Sequence, residues 1–587
     1  MRVLLLGLDG LDHALVNGLV DAGEMPTVAR LSGDGVRREL VSPPPTATIP
    51  AWTSILTGVN PGRHGLFDFT RREGYAIRFG PGRREAPNVF ETLSALERRV
   101  VAVGFPGTFP AVRVRGAMLA GWDSPAAIHG RREGCHPPGL HDELVRTFGE
   151  DYLPFDTLDQ FRAGTSAGPA WYRQAASRLR ESIGRRIELA LHVAEGLPGG
   201  PPDLLAVHFP EADTAGHHFW HLHDLNSPRR PGWIDGFLDE ATGRVSDPLA
   251  RVYAALDAAV AEMVDRFGPD VVVVVSDHGM GGSGLRLASI NRLLAMEGLL
   301  HVQRGAGEAL GGALDRLKRV GLGVLPPEVR EHVVGGAGRR LAGTMAARIR
   351  FGGIDWSRTA AFSEDLNYAP SVYLNQVGRE PRGIVREGDR RWWLGLVTDA
   401  LEGWEAVSPP GEIPPGTRRV VESVHPREEL FSGPHVDRLP DLVVRLASDG
   451  GDSYSLAPGM FRLMDSAVEP LPAHLLQGSK GRSMPGSHRP GGVFAAAPTS
   501  GAAAGCDMTV LEDVRQTSVA PLLLELMGFR APGWYDSDPA RVTDGDLEWV
   551  DERFIVEAFE RSRSPAPPPD GDDERAVEKR LEDLGYL

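Results

Sequence analysis

Residues 271–282 read VVVVVSDHGMGG: five valines, then Ser276, Asp277, His278 and a glycine-rich exit. A run of β-branched residues without polar alternation predicts a strand buried on both faces, as in a mostly parallel sheet covered by helices. Burying an Asp–His pair at the end of such a strand without a cation is costly. Asp277 and His278 therefore read either as ligands at a sheet edge or as a hydrogen-bonded pair at a turn.

Working outward, the same form recurs. Val3–Leu8 is a short apolar run ending at Asp9 and Gly10, and Val100–Phe105 and Leu204–Phe209 are further continuous runs. Helical stretches at Trp171–Glu195 and Leu249–Phe267 alternate with them, which predicts an α/β fold with a mostly parallel sheet flanked by helices. Ligands in such folds gather beyond the carboxyl ends of the strands. Asp9, Asp213 and the pair Asp277 and His278 all follow strands at that edge.

Other segments carry polar residues of ligand or nucleophile type. In PTATIPAWTSILTG (45–58), Thr48 precedes Ile49 and Pro50, which suits an N-cap hydroxyl with proline in the first turn. A helix start also favours an anion, so Thr48 reads as a cap or as a hydroxyl beside a bound phosphate. FPEADTAGHHFW (209–220) sets Asp213 four residues before His217, with Gly216 allowing an unusual backbone between them in a loop. His218, His221 and His223 read as surface or supporting residues. GSHRPGGVF (486–494) places His488 in a glycine-rich loop before a strand.

With a net charge of −16 over 587 residues, nucleic acid polymers and anionic membrane surfaces are repelled, though acidity alone identifies no substrate. Cys135 and Cys506 are too few for a disulfide framework or a thiolate metal site, so any metal would be held by histidines and carboxylates. The first apolar run is far shorter than a membrane span, and no secretion signal is evident, so a cytoplasmic protein is expected.

The expected organisation is a core formed by residues 1–284 and 481–561, with a cap subdomain inserted at 285–480, where Gly-rich (305–312) and Pro-rich (409–415) pieces surround apolar runs such as Ser371–Leu374 and Asp441–Leu446. Gly492–Ala497 reads as a returning strand and Val514–Met527 as an apolar helix stopped by Gly528. Residues 562–587 form a Pro-rich acidic tail and a short helix (574–587) that would dock on the core or on a second copy in a homo-oligomer.

The order LGLDG, TIPAWTSILTGVNPGRHG, Asp-x-x-Gly-His, SDHGM and GSHRPGG across residues 6–492 resembles the alkaline phosphatase superfamily. The resemblance is strongest to its type I phosphodiesterase and nucleotide pyrophosphatase branch, including bacterial chains described as predicted phosphohydrolases or phosphomutases. It implies an alkaline-phosphatase-like fold with an inserted cap and two divalent cations, Zn²⁺ or Mn²⁺. Asp9, Thr48, Asp277 and His278 would hold one, and Asp213, His217 and His488 the other. Thr48 would be the nucleophile of a phospho-threonine route that cleaves a phosphodiester or nucleotide pyrophosphate, or else acts as a phosphomonoesterase, phosphotransferase or phosphomutase.

Where the branch carries an Asn three residues after the nucleophile, this chain has Ala51. Backbone amides at the helix start, or Arg489 as a charged donor, are the expected replacements. Thr48-Ile49-Pro50-Ala51-Trp52 departs from the Cys/Ser-x-Pro-x-Arg motif of the related sulfatases. A non-catalytic carbohydrate or lipid binding module is disfavoured because all seven ligand positions are filled.

Overall fold

The computed structural model describes residues 1–79, 82–121, 132–150, 152, 169–232, 247–303, 347–348, 350–407, 417–449, 451–456, 458–472, 484–503, 505–538 and 541–562. The pieces at 305–312 and 409–415, the tail beyond residue 562 and the helix expected at 574–587 lie outside them.

Strands are labelled β1 (Val3–Leu8), β2 (Val36–Val41), β3 (Val100–Val103), β4 (Gly116–Leu119), β5 (Cys135–His136), β6 (Leu204–Phe209), β7 (Val271–Val275), β8 (Gly279–Ala288), β9 (Gly486–Arg489) and β10 (Gly491–Pro498). Eight of them form the main sheet in the order β2-β10-β7-β1-β6-β3-β4-β5. The five strands from β7 to β4 run parallel. β10 is antiparallel to both β7 and β2, so the chain returns to its first sheet as its sequence suggests.

Leu4, Leu6 and Leu8 of β1 belong to one apolar cluster, and Val3 and Leu5 to the other. The first cluster is closed by α1 (His13–Asp21), α3 (Pro169–Glu195), α4 (Glu211–His223) and α5 (Pro248–Phe267), and the second by α2 (Thr48–Thr57) and α6 (Val519–Leu526). Burial on both faces is why these strands carry continuous apolar runs, and each fully buried valine contributes about 1.5–3 kcal/mol.

Two expected helices differ in detail. α6 begins at Val519 rather than Val514, because residues 516–518 form a 3₁₀ turn that holds the Gln516 side chain against the Asp277 carbonyl (2.6 Å). Asp213 and His217 lie on the regular helix α4, where a loop was expected. Gly216 is there for space: a Cβ on it would lie 2.7 Å from Met280, and one on Gly486 would lie 2.1 Å from the Gly216 carbonyl oxygen. The missing side chains let β9 lie directly against α4.

Register sets the edge. Leu8 pairs with Phe209 and Gly7 with Val275, so β1, β6 and β7 end level. Between Ala288 and Val468, a further apolar cluster includes the four-stranded sheet of Ala361–Phe362, Ser371–Leu374, Leu442–Leu446 and Val421–Pro426, and Ile77 packs into it.

The start of α4 is held by a buried ion pair. Arg186 Nε donates to Glu211 Oε1 at 2.6 Å, with both side chains at most 2% exposed, and Ser182 donates to the same oxygen. Breaking the pair strands a buried charge. Arg186→Met should destabilise the fold by about 3–5 kcal/mol, read from the urea midpoint, and adding Glu211→Leu should recover much of that loss.

Candidate active site

Backbone bonds stitch the three strand ends together. The Asp213 amide donates to the Asp9 carbonyl (2.8 Å), and the Gly10 amide donates to Asp277 Oδ1 (3.2 Å). Gly10 has φ +68°, and a Cβ there would lie 2.6 Å from Asp213 Cα, so both the left-handed turn and the close approach require glycine. Ser276 accepts from the Leu11 amide and donates to the His278 carbonyl, which fixes the turn after β7.

Each histidine of the cluster has its tautomer set by a carbonyl, which can only accept. Nδ1–H of His217 donates to Gly486 (2.9 Å), that of His278 to Gly279 (3.0 Å) and that of His488 to Thr46 (3.0 Å). In the neutral rings, all three Nε2 atoms are then lone pairs facing inward, the arrangement used by metal-ligating imidazoles. His217 Nε2 lies 3.1 Å from His488 Nε2, and the two lie 3.1 and 3.3 Å from Asp213 Oδ1.

The carboxylates are similarly divided. Asp9 Oδ2 accepts from Trp52 Nε1 and His208 Nε2, both at 3.1 Å. Among the described residues no hydrogen-bond donor reaches the buried Asp9 Oδ1 and Asp277 Oδ2, which lie 3.6 and 3.3 Å from His278 Nε2. Acceptors facing acceptors away from water are costly unless a cation lies between them, so the donor set fits divalent cations. Ligand atoms of Asp9, Asp277 and His278 lie within 4.8 Å of one another, as do those of Asp213, His278 and His488. His278 thus bridges the two ligand groups inferred from the motifs.

Electrostatics carry the same signature. Burial, with Asp9 and Asp213 nearby, pushes the Asp277 carboxyl well above the usual range. Burial also raises Asp9, but the His208 hydrogen bond and neighbouring imidazoles bring it below its ordinary value. Burial, reinforced by His488, lowers His278 to about 4, leaving it neutral near pH 7.

Thr48 departs by one position from its expected place. Ala47 is the N-cap (φ −136°, ψ 142°) with no side-chain cap bond, and Thr48 is the first helical residue. Its hydroxyl is therefore not spent on capping and lies 3.5 Å from His278 Nε2. Pro50 has no N–H and the Ala51 N–H is bonded to the Ala47 carbonyl (3.2 Å). The donors that the helix start offers an anion are thus the Thr48 and Ile49 amides.

Arg489 is not brought to this cluster. Strand alternation in β9 places it opposite His488, and its guanidinium bonds Ser448 Oγ (2.6 Å) and the Gly282 and Gly451 carbonyls. His218 and His221 are buried rather than at the surface. His221 bonds Tyr172 and His223 pairs with Asp247, so these histidines act in packing and helix anchoring.

The sequence reading missed His208, hidden inside the apolar run LLAVHF, and Trp52, both of which orient Asp9. Tyr368 reaches over from the Ala288–Val468 region and stacks on His488 (4.0 Å), which stacks in turn on His278 (3.7 Å). A polar residue at the last inward position of a buried strand was the available signal for His208.

A mostly parallel sheet that gathers carboxylates, imidazoles and a helix-start threonine at its carboxyl edge accords with a metal-dependent phosphoric ester hydrolase, the class its family match gives. The chain belongs to the type I phosphodiesterase / nucleotide pyrophosphatase family, whose profile matches residues 3–393. Similar solved structures include phosphonoacetate hydrolase from Sinorhizobium meliloti 1021 with phosphonoformate, at 17% identity, covering 89% of this chain and 94% of that one, TM-score 0.43. Murine ectonucleotide pyrophosphatase / phosphodiesterase 5 is 14% identical, covering 91% and 96%, TM-score 0.42. No curated protein sequence matches. Among the described residues, no helix is long and apolar enough to cross a membrane.

Calorimetric titration with Zn²⁺ or Mn²⁺ should give two ions per chain, and Asp277→Asn should lower that stoichiometry. Ion at about 1,000 times its Kd should stabilise the fold by roughly 4 kcal/mol, seen as a higher melting temperature that EDTA reverses.

Proposed function

We propose that the protein is a two-metal phosphohydrolase that attacks a phosphate ester with Thr48, with phosphodiesters or nucleotide pyrophosphates favoured. The observation that carries this reading is the Thr48 hydroxyl, unused as a cap and 3.5 Å from His278 Nε2 within the carboxylate–imidazole cluster. Asp9, Asp277 and His278, with Thr48, would hold one cation, and Asp213, His217 and His488 the other. Bound there, Zn²⁺ or, second, Mn²⁺ would supply Lewis-acid stabilisation of the attacking and leaving oxygens.

The chain's own residues account for the rest. The Thr48 and Ile49 amides and the positive end of α2 would orient the phosphoryl oxygens. Trp52 and His208 keep Asp9 ionised and fixed, and the Nδ1–H bonds hold the imidazoles in one tautomer. Thr48 Oγ1 would give up its proton to solvent and bond phosphorus as the bond to the leaving oxygen breaks, its electron pair going to that oxygen; water would then displace Thr48 Oγ1, one of its protons going to the threonine oxygen, to release the phosphate product. Transfer to an alcohol instead of water, as in a phosphotransferase or phosphomutase, uses the same steps, and a phosphomonoester could occupy the same position. The charge of −16 favours a small substrate over a polymer, and the cytoplasm is the proposed compartment.

A panel of phosphomonoesters, phosphodiesters and phosphonates with each metal, run beside Thr48→Ala, tests this reading. Thr48→Ala should lower kcat by roughly 10³-fold or more while two ions still bind. A variant keeping a tenth of wild-type turnover would remove Thr48 as nucleophile.

A further inference from the structure

A cavity of about 110 Å³ shares its wall with the site: Thr46 and His488, joined by their Nδ1–H···O=C bond, line it together with Tyr368. The strand Leu442–Leu446 lines it as well, and its Arg445 is half-buried and pairs through its backbone with Ser423. Arg489 lines the cavity too, but its guanidinium is already bonded to Ser448, Gly282 and Gly451.

Arg445 differs. Among the described residues, no hydrogen bond, ion pair or ring contact engages its guanidinium. The amide of Asn367 is half-used: its Oδ1 accepts from the Leu456 backbone (2.9 Å), while its NH₂ has no acceptor among the described residues. Among the described residues, the one carboxylate lining the cavity is Glu422, which is exposed, where water screens it, and does not ion-pair with Arg445. An unneutralised guanidinium and an unused amide donor lining one cavity are a binding arrangement for an anionic oxygen group.

We propose that Arg445 is a specificity-determining residue that holds an anionic group on the leaving side of the substrate, the side served by His488 and its ligand set when Thr48 attacks from the other set. The proposal rests on Thr48 and the cluster being the reaction centre. At about 110 Å³, the cavity is far below the roughly 300 Å³ at which pockets for drug-sized ligands begin. The group held there is therefore small and anionic, a carboxylate or a further phosphate. In a chain of net charge −16, such a group is drawn only where cationic side chains line the wall.

The test compares the methyl phosphodiesters of glycolate and glycolamide, which differ in charge but hardly in shape, together with methyl diphosphate as the phosphate-bearing arm. The metal-loaded enzyme should favour the anionic leaving groups in kcat/KM. Arg445→Gln should cut the anionic-to-neutral ratio by roughly 10- to 100-fold, and Arg445→Lys should retain part of it. Loss with glycolate alone or diphosphate alone identifies which anion the cavity takes.

Calorimetric binding of the same three compounds to metal-loaded Thr48→Ala, with and without Arg445→Gln, reads the preference independently of turnover. Turnover failing while this binding preference persists counts against the hydrolase reading alone. Equal binding of glycolate, diphosphate and glycolamide compounds, or a preference unchanged by Arg445→Gln in a normally folded variant, would overturn the role of Arg445.

Discussion

Three carboxylates, Asp9, Asp213 and Asp277, and three imidazole lone pairs, on His217, His278 and His488, face one another where water is excluded. Without a cation this arrangement is unfavourable, and the upward push on Asp277 and the depression of His278 to about 4 express that cost. Much of the surrounding architecture holds the cluster in place despite it. The level strand ends bring the carboxylates together, Gly10 lets Asp213 lie against Asp9, and three carbonyls fix the imidazole tautomers. The buried Arg186–Glu211 pair anchors the helix that carries Asp213 and His217.

The backbone at the helix start explains how a threonine changes its role. At an ordinary helix start, a threonine hydroxyl accepts from a backbone amide of the first turn. Here the extended cap conformation belongs to Ala47, the helix begins one residue earlier than the Ile49–Pro50 pair suggests, and the hydroxyl is left facing His278. Pro50 removes a third amide from the helix start. The substitution of Ala51 for the branch's asparagine therefore leaves two backbone amides as the nearby donors, while Arg489 is committed to the opposite face of its strand.

Much of this was legible in the residues. Continuous valine and leucine runs reported strands buried on two faces, and polar residues just beyond them reported the sheet edge. The helix around Asp213 was not legible, because Gly216 reads as a loop residue when its actual reason is the close approach of Met280 and Gly486. His208 was hidden by five apolar neighbours. Tyr368 and Arg445 could not be placed, since their nearness to His488 depends on pairings between segments far apart in sequence. Local pattern therefore disclosed which side chains gather at the sheet edge, whereas the groups that would choose the leaving side depend on tertiary contacts.

The central claim is that the hydroxyl of Thr48 becomes covalently bonded to phosphorus. The most direct measurement is acid quenching of the metal-loaded enzyme during turnover, followed by peptide mass spectrometry across residues 45–58. The account predicts a phosphoryl adduct on Thr48 that appears with substrate, decays as substrate is exhausted and is absent from Thr48→Ala. Turnover in which pre-steady-state quenching recovers no such adduct, and in which hydrolysis in ¹⁸O-water inverts configuration at a chiral phosphorus, would contradict it.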